Sequence, residues 1–143
     1  MAAFVKYDQF VVDLCAGVHD LTTAGSLLRC ALSNTAPVVA TDAVLGGITT
    51  IAYTNVSETW PIDIANVGSE SPAGTWNVAG TDVTATASGG AVATFRYVIL
   101  YNDTPTSPLD PLIGYWDHTS AVDLADGESF TVDFDPTSVF TVT

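Results

Sequence analysis

The segment FRYVILYND, residues 95–103, constrains the fold more than any other part of the chain, because apolar side chains occupy both its odd and its even positions. In a strand, successive side chains point to opposite faces. One face would then carry Phe95, Tyr97, Ile99 and Tyr101, and the other would carry Arg96, Val98, Leu100 and Asn102. Strands that are covered on both faces have such continuous apolar runs. We therefore predict a strand in the centre of a sheet, or one with a face against a neighbouring subunit.

Arg96 is unusual in this segment, because the chain has only 3 Lys or Arg residues against 16 Asp or Glu. We expect its stem to lie across apolar surface and its guanidinium to pair with a carboxylate, either Asp117 or Asp133. The alternative is a ligand for a substrate carboxylate or phosphate, but the sequence assembles no converging acid, base or nucleophile. Since an unpaired buried charge is costly, Arg96→Ala is expected to impair folding or assembly.

Short alternating segments separated by turn residues fill most of the chain. Residues 7–18 are the exception, because apolar residues four apart predict a short helix there. Residues 43–53 are expected to form a short helical turn or an irregular loop. Strands are predicted in SLLRCALSNT (26–35), WPIDIANV (60–67), TWNVAG, DVTATAS, AVATFRYVILYND, PLIGYWDH (111–118), SFTVDF and SVFTVT. This pattern predicts an all-β fold, an antiparallel β-sandwich or jelly-roll-like barrel with one short N-terminal helix.

Several single positions refine this prediction. In the segment 26–35 the face with Leu28, Cys30 and Leu32 is expected to meet the core. Pro61 indicates an edge strand, since proline cannot donate a ladder hydrogen bond. Gly114 indicates a bulge or a close approach of two backbones. Asp126-Gly127 is a two-residue turn signal.

The length of 143 residues fits one domain, residues 1–143. Residues 1–7 are expected to form an extended arm that reaches a neighbour, with Phe4, Lys6 and Tyr7 in contact with it; a frayed terminus is the alternative.

The formal charge of −13 argues against nucleic acid and anionic lipid as partners, because both are bound through Lys and Arg. No apolar run is long enough to cross a bilayer. The first residues lack the features of a secretory signal, so we expect a protein made and kept in the cytoplasm. Only 13% of residues are charged, and depletion of charge is typical of interface cores. We therefore expect obligate assembly, with Tyr97, Tyr101, Tyr115 and Trp116 near subunit contacts or in the core.

The sequence gives no catalytic, cofactor or metal motif, and we expect no enzyme. His19 and His118 each adjoin an Asp, but a dyad of His118 with Ser120 lacks any supporting motif. Cys15 and Cys30 are expected to be buried free thiols. The carboxylates of the last quarter do not match a calcium-loop spacing, and solvated turn carboxylates are favoured over a structural calcium ion. The three tryptophans are expected to be core or interface anchors rather than a sugar-stacking platform.

Five segments together resemble a group of small structural proteins of tailed bacteriophages. They are DQFVVDL, LRCALSNTAPVVATDAVLGGIT, FRYVILYNDT, PLIGYWDH and DLADGESFTVDFD, and the likeness spans most of the chain. FRYVILYNDT and LADGESFTVDF are the most specific of them.

The resemblance implies a β-rich virion protein without an active site, most simply a decoration (cement) protein on the outside of the capsid. Such a protein would bridge major capsid subunits, often as a homotrimer, and would be made in the host bacterial cytoplasm. A tail or fibre component, and a carbohydrate-binding module for host attachment, are the alternatives.

Overall fold

The computed structural model describes residues 2–143 and contains ten strands and one α-helix in that range. Helix α1 spans Asp8–Cys15, and a single 3-10 turn spans Leu45–Gly47 within the segment for which a turn or loop was predicted. The strands are β1 Phe4–Lys6, β2 Leu28–Ser33, β3 Ile62–Asp63, β4 Val67–Ser71, β5 Thr75–Ala79, β6 Val83–Thr86, β7 Val92–Asn102, β8 Leu112–Leu124, β9 Ser129–Val132 and β10 Phe140–Val142.

The strands form three antiparallel sheets, which confirms the all-β sandwich with one short N-terminal helix. The largest sheet has the order β1-β8-β7-β2-β3, the second β10-β5-β4, and the third pairs β6 with β9. Strand β7 carries the double-sided apolar segment and lies between β8 and β2, so its prediction as a central strand is confirmed. Strand β3 follows Pro61 and lies at the edge of the sheet, also as predicted.

The main core lies between the five-stranded sheet and the two smaller sheets. Aromatic contacts join the layers: the ring centroids of Phe95 and Phe130 are 5.1 Å apart, and those of Trp116 and Phe134 are 5.4 Å apart. The predicted inward face of β2 is confirmed, because its three inward residues are fully buried in this core: Leu28, Cys30 and Leu32. Burying this apolar surface is the main stabilising contribution to the fold.

The opposite face of the five-stranded sheet has a second, smaller core. Its buried members are Tyr7, Ala31, Tyr97, Ile99, Tyr101 and Leu112. Leu45 and Ile48, on and next to the 3-10 turn, pack against this cluster. The second apolar face of β7 is therefore covered by a loop of the same chain, and it needs no neighbouring subunit.

The strict alternation predicted along residues 95–102 is wrong at Phe95. Phe95 pairs with Val122 while Tyr97 pairs with Asp117, so several residues of β8 lie opposite the single residue Arg96. This bulge moves Phe95 to the main core, on the side of Val98, and away from Tyr97.

The predicted extended arm is also wrong for residues 4–7, which fold back onto their own sheet. Strand β1 pairs with β8, with Phe4 opposite Trp116 and Lys6 opposite Gly114. The ring of Phe4 stacks on Phe140 at 5.3 Å, and Tyr7 is fully buried. Residue 1 of the predicted arm lies outside the described residues.

The close approach predicted at Gly114 is confirmed by the space around it. A Cβ atom at this position would lie 2.2 Å from the ring of Phe4 and 2.7 Å from the carbonyl oxygen of Val5. The turn at Asp126-Gly127 is present as well, with Gly127 at φ +87°. It connects β8 to β9, although β9 pairs with β6 and not with β8.

Candidate functional site

Arg96 and Asp117 form an ion pair with two aligned hydrogen bonds on the five-stranded sheet. Arg96 Nε donates to Asp117 Oδ1 at 2.7 Å, and Arg96 Nη2 donates to Asp117 Oδ2 at 2.8 Å. The guanidinium carbon also lies 5.3 Å from the centre of the Tyr97 ring. Of the two predicted carboxylate partners the structure selects Asp117, which lies on the adjacent strand β8, opposite Tyr97. Such a two-bonded geometry fixes the orientation of both side chains.

The electrostatics of this pair are those of a surface site. The hydrogen bonds from Arg96 lower the pKa of Asp117, and the same bonds raise the pKa of Arg96. The side chains remain 38% and 34% exposed, respectively, so solvent and salt screen their attraction. The expectation of a buried charge at Arg96 is therefore wrong for the isolated chain.

The other residues predicted at contacts divide between core and surface. Trp116 belongs to the main core and is 4% exposed, whereas Tyr97 and Tyr101 are buried in the second core. Tyr7 is buried there too, and burial raises the pKa of its phenol. Lys6 is exposed and Tyr115 is half-buried. Four of the predicted contact residues are therefore accessible to a partner: Phe4, Lys6, Arg96 and Tyr115.

A second ion pair was not foreseen from the sequence. Arg29 Nε lies 2.9 Å from Asp103 Oδ2, without the alignment of a hydrogen bond, and Arg29 Nη1 donates to the carbonyl of Pro61 at 3.2 Å. The carboxyl of Asp110 contacts that of Asp103, and burial together with this contact raises the pKa of Asp110. One feature of the sequence could have indicated this pair: Asp103 directly follows β7, the strand next to β2, which carries Arg29.

An apolar groove lies between α1, the following loop and the three-stranded sheet. Its volume is about 320 Å³, and it is lined by Leu14, Leu21, Thr22, Trp76 and Val142. Trp76 is held in place because its indole Nε1 donates to the carbonyl of Leu21 at 3.2 Å. Val11 precedes Leu14 by three residues, so it lies on the same side of the helix, and it is 41% exposed. No sequence pattern indicated this groove, because its parts come from four separate segments.

The candidate catalytic groups do not converge. His118 Nδ1 contacts the backbone carbonyl of Ser120 at 3.2 Å and not its hydroxyl. His19 is buried elsewhere, with Nδ1 at 3.2 Å from the side-chain amide of Asn102. Of the two thiols, Cys30 is buried and burial raises its pKa, whereas Cys15 is exposed, so the prediction of two buried thiols is wrong for Cys15.

The acidic residues of the last quarter mostly serve turns. Asp126 accepts a hydrogen bond from the Gly89 N–H at 2.8 Å, and Glu128 accepts one from the Ala125 N–H at 2.8 Å. Within residues 2–143 no three His, Cys, Asp or Glu side chains group closely enough to hold a metal ion. In the same range no helix has both the length and the hydropathy needed to span a membrane.

The three indoles do not share an exposed platform. Trp60 and Trp116 are buried in the main core, and only Trp76 is half-buried at the apolar groove. Trp60 Nε1 donates to the carbonyl of Thr84 at 3.1 Å, so its polar atom is satisfied inside the protein. Trp60 and Trp116 are therefore core anchors, one of the two roles that were expected, whereas Trp76 lies at the edge of the core.

No protein-family model matches the chain, and neither a curated protein nor a solved structure is significantly similar to it.

Proposed function

We propose that this protein is a structural component of a tailed-bacteriophage particle, most specifically a decoration (cement) protein. In this proposal it binds the outer surface of the capsid, as a homotrimer, and bridges neighbouring subunits of the major capsid protein. A ligand that binds only the assembled shell stabilises it by mass action. When many copies that contact one another bind the same shell, their attachment is stronger than that of a single copy, through avidity.

The observation that supports this proposal most is the apolar groove beside α1. It carries almost no polar surface, and the helix next to it exposes Val11 and Val12. Exposed apolar surface of this kind is typical of sites that bind other proteins. The resemblance of the sequence to phage structural proteins is the reason for placing this protein–protein contact on a phage particle.

The arrangement of the polar groups agrees with a binding role. Arg96 and Asp117 satisfy each other, and the two histidines contact different residues. A binding protein needs fixed surfaces and no converging reactive groups, whereas an enzyme needs such groups within reach of one bound substrate.

The proposal is tested by mass spectrometry of the phage particle whose genome encodes this chain. Heads and tails are purified separately, and peptides of the chain are quantified in each. The proposal predicts a stoichiometric amount in heads and little in tails. Enrichment in tails would support the alternative of a tail or fibre component, and absence from both would contradict a structural role in the virion.

A further inference from the structure

A groove runs beside β9 and the segment that follows it, with Asp133 near its middle. Three adjoining cavities, of about 210, 270 and 510 Å³, all have Asp133 in their walls. The first is a partly open cavity whose walls include the aromatic residues Trp116 and Phe130, with Val98 and His118 beside them. Asp135 lines the second cavity and Asp82 the third.

The three carboxylates of this groove differ in what they bind. Asp82 Oδ1 accepts the backbone N–H of Phe134 at 2.8 Å, and Asp135 Oδ1 accepts that of Thr137 at 2.8 Å. Both therefore hold the local backbone. Asp133, by contrast, is exposed; its carboxylate accepts no hydrogen bond from any group in residues 2–143, and no Lys or Arg in that range lies within ion-pair distance of it.

The aromatic end of the groove suits an alkyl chain that ends in a cation. Trp116 and Phe130 provide apolar walls, and Phe130 is fixed by edge-on contacts with Phe95 at 5.1 Å and His118 at 5.4 Å. The stem of a lysine or arginine packs well on such walls, and its charged end is attracted to aromatic faces. A carboxylate beside them adds a charge-assisted hydrogen bond.

The charge of the whole protein favours the same class of ligand. A formal charge of −13 attracts basic polypeptides and repels acidic ones. Arg29 and Arg96 already pair with Asp103 and Asp117 on the five-stranded sheet, so neither neutralises the groove.

We propose that the Asp133 groove is a binding site for a lysine or arginine side chain of a basic partner polypeptide. The aliphatic stem lies between Trp116 and Phe130, and the cationic end bonds to the carboxylate of Asp133. The inference concerns the isolated chain and does not depend on the partner being a capsid protein.

The test is an NMR titration of the full chain with two short peptides of equal length. One peptide has a central lysine and the other has norleucine, which keeps the stem and lacks the charge. We expect the lysine peptide to produce saturable shifts at millimolar concentration in the Trp116 indole and in the amides of residues 130–133. The norleucine peptide should produce much smaller shifts.

Two variants separate this site from the general attraction of an acidic protein. Asp133→Asn removes the proposed contact and should weaken the apparent Kd by about tenfold, as expected for a hydrogen bond to a charged group. Glu70→Gln removes the same charge from exposed β4 and should leave the Kd unchanged. Equal weakening by both variants, equal binding of the norleucine peptide, or no saturable shifts would each overturn the inference.

A negative titration would leave the proposed function untouched, because the apolar groove beside α1 is a separate surface. Conversely, a chain that is absent from phage heads could still bind the lysine peptide. The two proposals therefore fail independently.

Discussion

Gly114 is the residue at which β1 lies closest to β8. A Cβ atom there would overlap the Phe4 ring and the Val5 carbonyl, at 2.2 and 2.7 Å. We predict that Gly114→Ala displaces β1 and lowers the free energy of unfolding by about 1–3 kcal/mol, the usual cost of overpacking. Urea denaturation measures this loss.

Gly46→Ala is the matched control for Gly114→Ala. Gly46 lies in the 3-10 turn, and a Cβ atom there would meet nothing within 4 Å. Its replacement should change the free energy of unfolding by no more than about 0.5 kcal/mol. Equal losses in both variants would contradict the account of how β1 docks.

Asp110 carries an unfavourable charge in the folded chain. Burial and the carboxyl of Asp103 raise its pKa, so the folded state holds the proton more tightly than the unfolded state does. The stability from this group is present below its ordinary pKa of 3.8 and is lost as the pH rises through the folded pKa. Asp110→Asn should therefore stabilise the protein at neutral pH, by about 0.5 kcal/mol, and give no gain at low pH.

Asp103→Asn has the opposite expected effect at neutral pH, although the same charge is removed from the same loop. Asp103 lies 2.9 Å from Arg29, so its replacement leaves that cation without its partner. Thermal melts of both variants at neutral and low pH measure the two effects. Stabilisation by Asp103→Asn equal to that by Asp110→Asn would show that only the overall negative charge matters.

Arg96→Ala should have only a small effect on the isolated chain. The pair with Asp117 is more than one-third exposed on both sides, and exposed pairs are weakened by solvent and salt. We expect a slight decrease in the urea midpoint at low ionic strength, and a smaller one at high ionic strength. A salt-independent decrease as large as that caused by truncating a core residue would contradict this assignment.

At the scale of elements, a buried polar network joins the loop after α1 to the end of β7. His19 is 5% exposed, its Nδ1 contacts Asn102, and Asn102 also donates to the Ser26 hydroxyl at 3.0 Å. His19 Nε2 and Asp13 Oδ2 are buried and have no hydrogen-bond partner in residues 2–143. Such incompletely satisfied networks are sensitive to added charge.

This network predicts a loss of stability in mild acid. Burial lowers the pKa of His19, although the nearby Asp13 opposes this shift, so the unfolded chain binds the proton more readily. The stability is fully present above the ordinary pKa of 6.5 and is lost as the pH falls from there through the folded pKa. The size of the loss is about 1.4 kcal/mol for each unit by which the pKa is lowered.

His19→Gln tests this prediction, because it keeps a side-chain amide near Asn102 but cannot take up a proton. Its unfolding free energy should fall less steeply than that of the parent chain between about pH 7 and pH 5. His118→Gln removes the exposed imidazole and should keep the steep dependence of the parent. If His19→Gln kept the parent's pH profile, another group would be responsible.

The sequence predicted those elements whose side-chain pattern is local. The central position of β7 follows from its apolar composition, and the inward face of β2 follows from alternation. The bulge opposite Arg96 could not be predicted, because its additional residues belong to β8, which is distant in sequence. Phe4–Lys6 was expected to be an arm because its pairing partner, β8, is also distant in sequence. The missing side chain of Gly114 leaves the space in which this strand packs.

The candidate sites were predicted less well than the fold. A carboxylate partner for Arg96 was foreseen, because a rare cation in an apolar strand needs one, but the choice between Asp117 and Asp133 was left to the structure. Both grooves depend on side chains from several elements, and their shapes are set by the packing of the sheets. Single-strand periodicity contains no information about such shapes.

At the scale of the whole molecule, the proposed function predicts that the apolar groove beside α1 is the main docking surface. Val11→Asp places a charge at its border and should reduce binding to phage heads that lack this protein by about tenfold or more. Val38→Asp is the control, because Val38 is 53% exposed and lies in a loop that does not line the groove. Equal loss in both variants, measured by co-sedimentation, would point to a different surface.

Both Val→Asp variants should fold like the parent chain. Each replaced side chain is substantially exposed, so the free energy of unfolding should change by less than about 1 kcal/mol. A parallel urea denaturation checks this, and it separates loss of docking from loss of structure.

The proposed function requires that neighbouring polypeptide covers the uncharged surface of this sandwich on the shell of a phage. A cryo-EM map of the intact particle would show whether it does. We expect density for the sandwich on the outer face of the capsid, with Leu14 and Trp76 buried against a major capsid subunit. A map of the particle without this chain on its shell, or with this groove open to solvent, would contradict it.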